Sequence, residues 1–426
     1  MNYKNIAFNT GSLHIIKTER FKSFIVDVVF KLPVTKEELP KYNFLSWLLN
    51  ESSKKYPTKR RLFIKLEELY SAYFNVNCGR VGNNVIISAS IESIKPDLLE
   101  DKKHFNDILN FLKEVILNPN VKKHAFDEKT FNIVKNYISI DIDSIKEDPS
   151  RIAHERALKM MDENSISATS HLGTREIIDQ ITKEELYDLY YNMLNHSYVD
   201  IFIIGNLDEK ILKNNDIISE LFDLLNNPKR SIIIKPNNDF VDNKINNKVS
   251  IKREKGSCLQ SQLVMIFNTI DLTKTEKDIT LPLFNYLFGS GGLKSKLYSS
   301  IREKHGYCYH IGSSYYKYDN LLCVTSSLKE ENTNHTIKLV NASLKEMCEG
   351  DFTDEDLQDA KKSMALSLNY QKNNINSLLN TIENQIINNA MSMEERIKCL
   401  ENITKKDIIN VAKKIKSNTN YLLVEE

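Results

Sequence analysis

The sequence predicts an α+β fold of two homologous domains, each a mostly antiparallel sheet covered by helices on one side. Three observations predict it. The chain has 426 residues, more than the ~250–300 that a single hydrophobic core organises. The same order of elements can be read twice along it. Within each half, short apolar runs of strand length are followed by longer stretches with apolar stripes at helical spacing, the pattern of strands covered by helices.

The first half opens with a strand over Ser23–Leu32, where Phe24, Ile25, Val26, Val28, Val29 and Phe30 form a near-continuous apolar run. A helix follows over about Leu39–Asn50. The next, near Arg61–Ala72, places Leu62, Leu66, Leu69 and Tyr73 on one face. Strands near Tyr73–Cys78 and Asn84–Glu92 are joined by a turn containing Gly79, Gly82 and Asn83. Long amphipathic helices occupy Pro96–Leu117 and Asp127–Ser144, shorter ones continue to Asn192, and Tyr198–Gly205 closes the half as a buried strand.

The second half repeats this order. A strand lies at Gln260–Ile270, helices at Ile279–Phe288 and Ser295–Lys304, the latter with Leu293, Leu297 and Ile301 as its stripe. Strands at Tyr307–Tyr316 and Leu321–Leu328 follow, then helices with breaks from Asn332 to Ile415, then a final strand at Tyr421–Glu425. Matching Val26 to Val264, Leu62 to Leu297 and Ile86 to Cys323 gives a shift near 238 residues. That is far beyond the ~20–50 residues of a solenoid repeat, so the chain is read as a duplication. The domains are 1–225 and 248–426, with the polar stretch 226–247, rich in Asn, Pro and Lys, as linker.

Composition narrows the function classes. Fifty-eight Lys and Arg stand against 57 Asp and Glu, so no net field favours nucleic acid or a membrane surface. The six cysteines form no C-x-x-C pair, which suits reduced thiols better than a disulfide framework. Met1–Phe8 has no apolar signal-peptide core and no stretch approaches the ~20 apolar residues of a membrane span. A cytoplasmic location is expected.

The most informative segment is Gly289–Tyr309, GSGGLKSKLYSSIREKHGYCY. Lys304 and His305 fall in a helix's last turn, where cations suit the macrodipole, and Gly306 is placed to end it in the left-handed conformation. Arg302 and Tyr309 then share a neighbourhood at the helix end and strand start. A guanidinium offers several donors to peptide carbonyls, and a phenol can donate to a growing oxyanion. The glycines do not form a phosphate cradle, because the Gly-Lys-Ser/Thr ending is missing and a helix precedes them. They permit a sharp turn between helices.

With its glycine-rich turn, Arg-Glu-Lys-x-Gly and the tyrosine seven residues after the arginine, this segment resembles the second domain of the pitrilysin/insulinase/mitochondrial-processing-peptidase family. The first half's end, Ile201-Phe-Ile-Ile-Gly-Asn-Leu-Asp208, is similar to that family's buried strand running into Gly-x-x-Asp. The resemblance covers nearly the whole chain. It implies a duplicated peptidase fold, with Arg302 and Tyr309 contacting substrate near a zinc site of an opposing domain.

The family's H-x-x-E-H signature is absent, as is H-E-x-x-H; the nearest stretch, His154-Glu-Arg-Ala-Leu158, lacks the second ligand. By alignment to the family, the motif falls on Asn43, Ser46 and Trp47. Ser is no base at neutral pH and Trp has no lone pair for a metal. A carboxylate ligand would fall near Asp141 or Asp143, but one Asp cannot hold zinc. His305 and His310 are read as surface groups. No cofactor or metal is assigned to this chain. The resemblance therefore implies the zinc-free, Arg/Tyr-bearing subunit of a bacterial heterodimer that is inactive alone. Its partner would be an H-x-x-E-H subunit carrying zinc, and its substrate a peptide or leader segment. A structural scaffold of the same fold, or a hydrolase with an unrelated site, are the alternatives.

Overall fold

The computed structural model describes residues 2–8, 10–207, 218, 221 and 240–425. Asp208 and positions 226–239 of the expected linker lie outside them. The chain forms two compact units: Met1–Ile142 with Ser170–Asp239 and Asn373–Glu383, and Asp143–Thr169 with Phe240–Lys372 and Asn384–Glu426. Each unit thus takes a helical segment from the other half of the sequence.

Unit 1 is built on a six-stranded sheet in the order β1-β2-β8-β3-β5-β4. The strands are β1 (Asn2–Phe8), β2 (Gly11–Lys17), β3 (Ser23–Pro33), β4 (Tyr73–Val81), β5 (Asn84–Ile94) and β8 (Tyr198–Gly205). A separate short hairpin pairs β6 (Val121–Lys122) with β7 (Ala125–Phe126). All pairs in the large sheet are antiparallel except β2 with β8. Its helices are α1 (Leu39–Glu51), α2 (Lys59–Glu68), α3 (His104–Leu117), α4 (Glu128–Ile145), α6 (Arg175–Gln180) and α7 (Lys183–His196). One face of β3 meets α3, where the rings of Phe24 and Phe105 lie 5.4 Å apart.

Unit 2 repeats the plan with five strands, β11-β12-β10-β13-β9. These are β9 (Ser250–Gly256), β10 (Ser261–Thr269), β11 (Cys308–Tyr316), β12 (Leu321–Leu328) and β13 (Ile415–Glu425), and only β9–β13 is parallel. Leu263, Met265 and Phe267 on one face pack with Phe284, Phe288, Leu297 and Ile301. The other face, Val264 and Ile266, is covered by α5 (Pro149–Met161) through Ala153, Ala157 and Met161. The expected α+β architecture is present, with α5 added on the second face.

The strand register needs one correction. Side chains alternate between faces, so Val26 shares the α3 side with Phe24, whereas Val264 faces α5. Val26 and Val264 thus lie on opposite faces and are not counterparts, since a slip of one residue reverses every side chain of the strand. The paired residues Val26 and Ile203 lie 177 positions apart, whereas Leu263 and Leu422 lie 159 apart. The first half is longer because it carries the β6–β7 hairpin and the segment 162–174.

Other departures have local causes. Leu293 is 67% exposed and off the predicted stripe, because Gly292 at φ +66° breaks the helix ahead of it. Tyr73 is likewise exposed; Tyr70 and Ser71, both at positive φ, end α2 and turn the chain into β4. The strands β1, β2 and β9 carry no long apolar run, so their sequences give no strand signal. β13 begins at Ile415 rather than Tyr421 because Asn418, Thr419 and Asn420 are buried polar residues. Asn418 donates to the Asn268 Oδ1 and to the Lys244 carbonyl, which satisfies its amide.

Candidate functional site

Arg302 sits in the helical segment Tyr298–Glu303, wound with i→i+5 hydrogen bonds. Leu297 and Ile301 anchor that segment in the core. Upstream, Gly289 lies so close to β11 that a Cβ would come 2.4 Å from Ser313 Oγ. The helix ends where Gly306, at φ +64°, donates its N–H to the Arg302 carbonyl at 2.9 Å. Tyr309 follows at the start of β11, an edge strand, where the pairing with β12 shifts between Cys308 and His310. A bulge of this kind re-aims a side chain, and Tyr309 is 73% exposed.

The two side chains meet. The Arg302 guanidinium carbon lies 5.5 Å from the Tyr309 ring centre and 4.9 Å from the ring centre of Tyr298, one turn earlier. Arg302 is half-buried, and among the described residues its guanidinium donates no hydrogen bond and has no carboxylate partner. Both rings lie within cation–aromatic distance of the guanidinium, a contact that spends none of its N–H donors. Such an arrangement suits recognition of carbonyl or carboxylate oxygens. Tyr298 escaped the sequence reading, although its i, i+4 spacing to Arg302 was the signal. His305 is exposed and stacks on Tyr307, their rings 5.1 Å apart; His310 is also exposed.

Asn43, Ser46 and Trp47 lie on α1. Thr35 and Glu38 exchange hydrogen bonds ahead of it, in the manner of a capping box, and start the helix. The three line a cleft of about 550 Å³ with Asn50, Glu51 and Lys59 from the α1–α2 region and with Tyr73–Cys78 of the edge strand β4. Ser46 is 1% exposed, and its hydroxyl donates to the Asn43 carbonyl at 2.7 Å. The Asn43 Nδ2 is buried without a hydrogen-bond partner among the described residues. Asn50 donates to the Val76 carbonyl at 2.7 Å and accepts from the Val76 N–H at 2.8 Å. One side chain thereby occupies the outward backbone groups of β4 at that point.

This donor set does not fit zinc. Catalytic zinc sites use three protein ligands drawn from His, Cys and carboxylates; here an amide, a committed hydroxyl and an indole stand together. Asp141 and Asp143 are exposed and fall well past Phe131, where α4 packs on Phe44 of α1. Ten residues of helix separate Phe131 from Asp141, roughly 15 Å. Among the described residues, no group of three or more His, Cys, Asp or Glu is arranged to hold a metal.

A second polar cluster was not foreseen. Asp27, on the face of β3 opposite α3, is buried and receives the Ser88 hydroxyl at 2.8 Å. It meets Glu383, from the helix Ile375–Ile387. Burial pushes the Asp27 carboxyl up to about 6. Burial and the neighbouring Asp27 carboxyl also raise Glu383 well above the ordinary range, so the pair holds a proton at pH values where an ordinary carboxyl has lost it. Alongside, His14 Nε2 bonds Asp200 at 3.0 Å and its Nδ1 bonds the Tyr3 hydroxyl at 2.9 Å.

Residues 180–364 match the family model described as the peptidase M16 inactive domain. The chain is 27% identical to the probable inactive metalloprotease YmfF of Bacillus subtilis, covering 99% of this chain and 98% of that one. It is 23% identical to a non-peptidase homolog from Helicobacter pylori, covering 70% and 67% of the two chains. Among solved structures, a conserved protein from Enterococcus faecalis matches with a TM-score of 0.90 at 25% identity, covering 100% of this chain and 99% of the other. A peptidase M16 inactive domain from Pseudomonas fluorescens matches with a TM-score of 0.81 at 17% identity over 100% and 98%.

Proposed function

We propose that this chain, a member of the M16 peptidase family, is the non-catalytic, substrate-binding subunit of a heterodimeric zinc metallopeptidase acting on peptides or leader segments in the cytoplasm. One observation carries the reading. Arg302 and Tyr309 stand together with donors free to engage a ligand, while Asn43, Ser46 and Trp47, which the family resemblance matches to the zinc motif, offer no zinc-binding donor set. Loss of the metal cage with retention of a substrate grip is the division of labour expected of one half of a two-chain enzyme.

In this reading the zinc and the general base belong to a partner subunit bearing H-x-x-E-H. This chain contributes two groups. The Arg302 N–H donors hold carbonyl oxygens of an extended peptide. The Tyr309 hydroxyl donates to the scissile carbonyl oxygen as negative charge develops on it, the step at which a fixed donor is worth most. The bulge at Tyr309 supports this assignment, since it turns the phenol outward from β11.

The test is reconstitution with an H-x-x-E-H chain of the same family. The isolated protein should bind no stoichiometric zinc and cleave no peptide. The mixture should show chelator-sensitive turnover, and Arg302→Ala or Tyr309→Phe should lower it by ~100-fold with association intact. Unchanged turnover in both variants would leave a structural scaffold of this fold as the reading.

A further inference from the structure

We infer that Tyr298 is a positioning residue: with Tyr309 it forms a two-ring clamp that fixes the plane of the Arg302 guanidinium and presents only its N–H edge to the substrate. The inference rests on the proposed role of Arg302 and deepens it. Arg302 is the centre of the arrangement, with Tyr298 at 4.9 Å and Tyr309 at 5.5 Å from its guanidinium carbon. The two rings come from different levels of structure. Tyr298 lies one helical turn before Arg302, where side chains at i and i+4 are neighbours. Tyr309 arrives through the Gly306 reversal and the bulge in β11.

A long flexible cation at a surface ordinarily samples many rotamers, and ordering it on binding costs free energy. Two aromatic walls remove much of that freedom in advance. They also leave the donors without a competing carboxylate, since none pairs with Arg302 among the described residues. Tyr309 thus has two tasks, and its ring is engaged by Arg302 even when its hydroxyl is free. Tyr298, half-buried beside the core residues Leu297 and Ile301, has only the first. Its ring face carries the effect, and its hydroxyl is dispensable.

The experiment compares Tyr298→Leu, Tyr298→Phe and Arg302→Ala in the full-length chain reconstituted with the zinc-bearing subunit. A 15N-arginine spectrum of the chain alone reports the Arg302 Nε–H, which lies under the ring currents of both tyrosines. Tyr298→Leu should shift that resonance and lower kcat/KM about tenfold, mainly through KM, the scale of one cation–aromatic contact. Tyr298→Phe should match the parent in both measurements. If Arg302→Ala impairs turnover but Tyr298→Leu leaves the spectrum and KM unchanged, the clamp is wrong and the role of Arg302 survives. A Tyr298→Phe variant as impaired as Tyr298→Leu would also overturn it, by assigning the effect to the hydroxyl. If Arg302→Ala is without effect, the substrate-grip reading falls first and the positioning role falls with it.

Discussion

The second faces of the two sheets are covered by helices holding the same place in the repeated element order, yet their chemistry is opposite. In unit 2, α5 sets Ala153 and Ala157 against Val264, Ile266, Cys323, Tyr421 and Leu423, all buried and apolar but for the Tyr421 hydroxyl. In unit 1 the helix Ile375–Ile387 brings Glu383 to Asp27 and Asn376 to Glu92, the latter at 2.8 Å. Duplication preserved the strand order and the helix on the second face, while the side chains beneath that helix diverged. A sheet face accepts either solution provided that apolar groups interlock or polar groups find partners. The polar solution adds a carboxyl pair whose titration makes stability depend on pH.

Four substitutions sharpen or break that contrast. The largest effect is expected from Ile266→Asp, which places an unpaired carboxylate under α5. It should cost roughly 3–5 kcal/mol in urea unfolding. A loss within experimental error would show that this face is hydrated.

Next is Glu383→Gln. Asp27 and Glu383 both titrate higher when folded than when unfolded. The folded state therefore holds extra protons above the ordinary carboxylate range. The stabilisation linked to them is complete below about pH 4 and lost as pH rises through about 6 and beyond. Glu383→Gln removes one charge of the pair and should stabilise the protein at pH 8 by roughly 1–3 kcal/mol. It should flatten the fall in stability between pH 5 and 8. Parallel pH profiles for variant and parent would separate the pair from the pH dependence.

The smallest effect concerns the two helix starts, where unlike faces share one device. Asp148 accepts from the Ser150 and Arg151 N–H groups, and Asn374 accepts from the Ser377 N–H at 2.9 Å. Asp148→Ala and Asn374→Ala should each cost about 1 kcal/mol, read from thermal unfolding. Unequal losses would show that one of these helices is held by its face alone.

Much of the fold was legible because its core elements write local patterns. The run Phe24–Phe30 and the strand Leu321–Leu328 have dense apolar character, and β12 begins and ends where its pattern does. The site was legible in part. Arg302, Gly306 and Tyr309 lie within eight consecutive positions, so helix end, reversal and strand start could be read together. Asn50 could not be read this way, because its partner Val76 is 26 positions away and an asparagine inside a helix carries no pattern of its own. The same holds for Asp27 and Glu383, isolated carboxyls whose meaning depends on meeting across 356 positions.

The sequence by itself determined the repeated order of elements, the lack of any H-x-x-E-H or H-E-x-x-H stretch, and the close spacing of Arg302, Gly306 and Tyr309 along the chain. These depend on residue identity and on spacings of a few positions, which short-range sterics and hydrogen bonding fix. Tertiary structure decided which unit receives α5 and which receives residues 373–383, the face on which Val264 lies, and the bulge in β11 beside Tyr309. Those outcomes follow from strand pairing and packing between residues far apart in the chain. Their energies depend on partners that no local window contains.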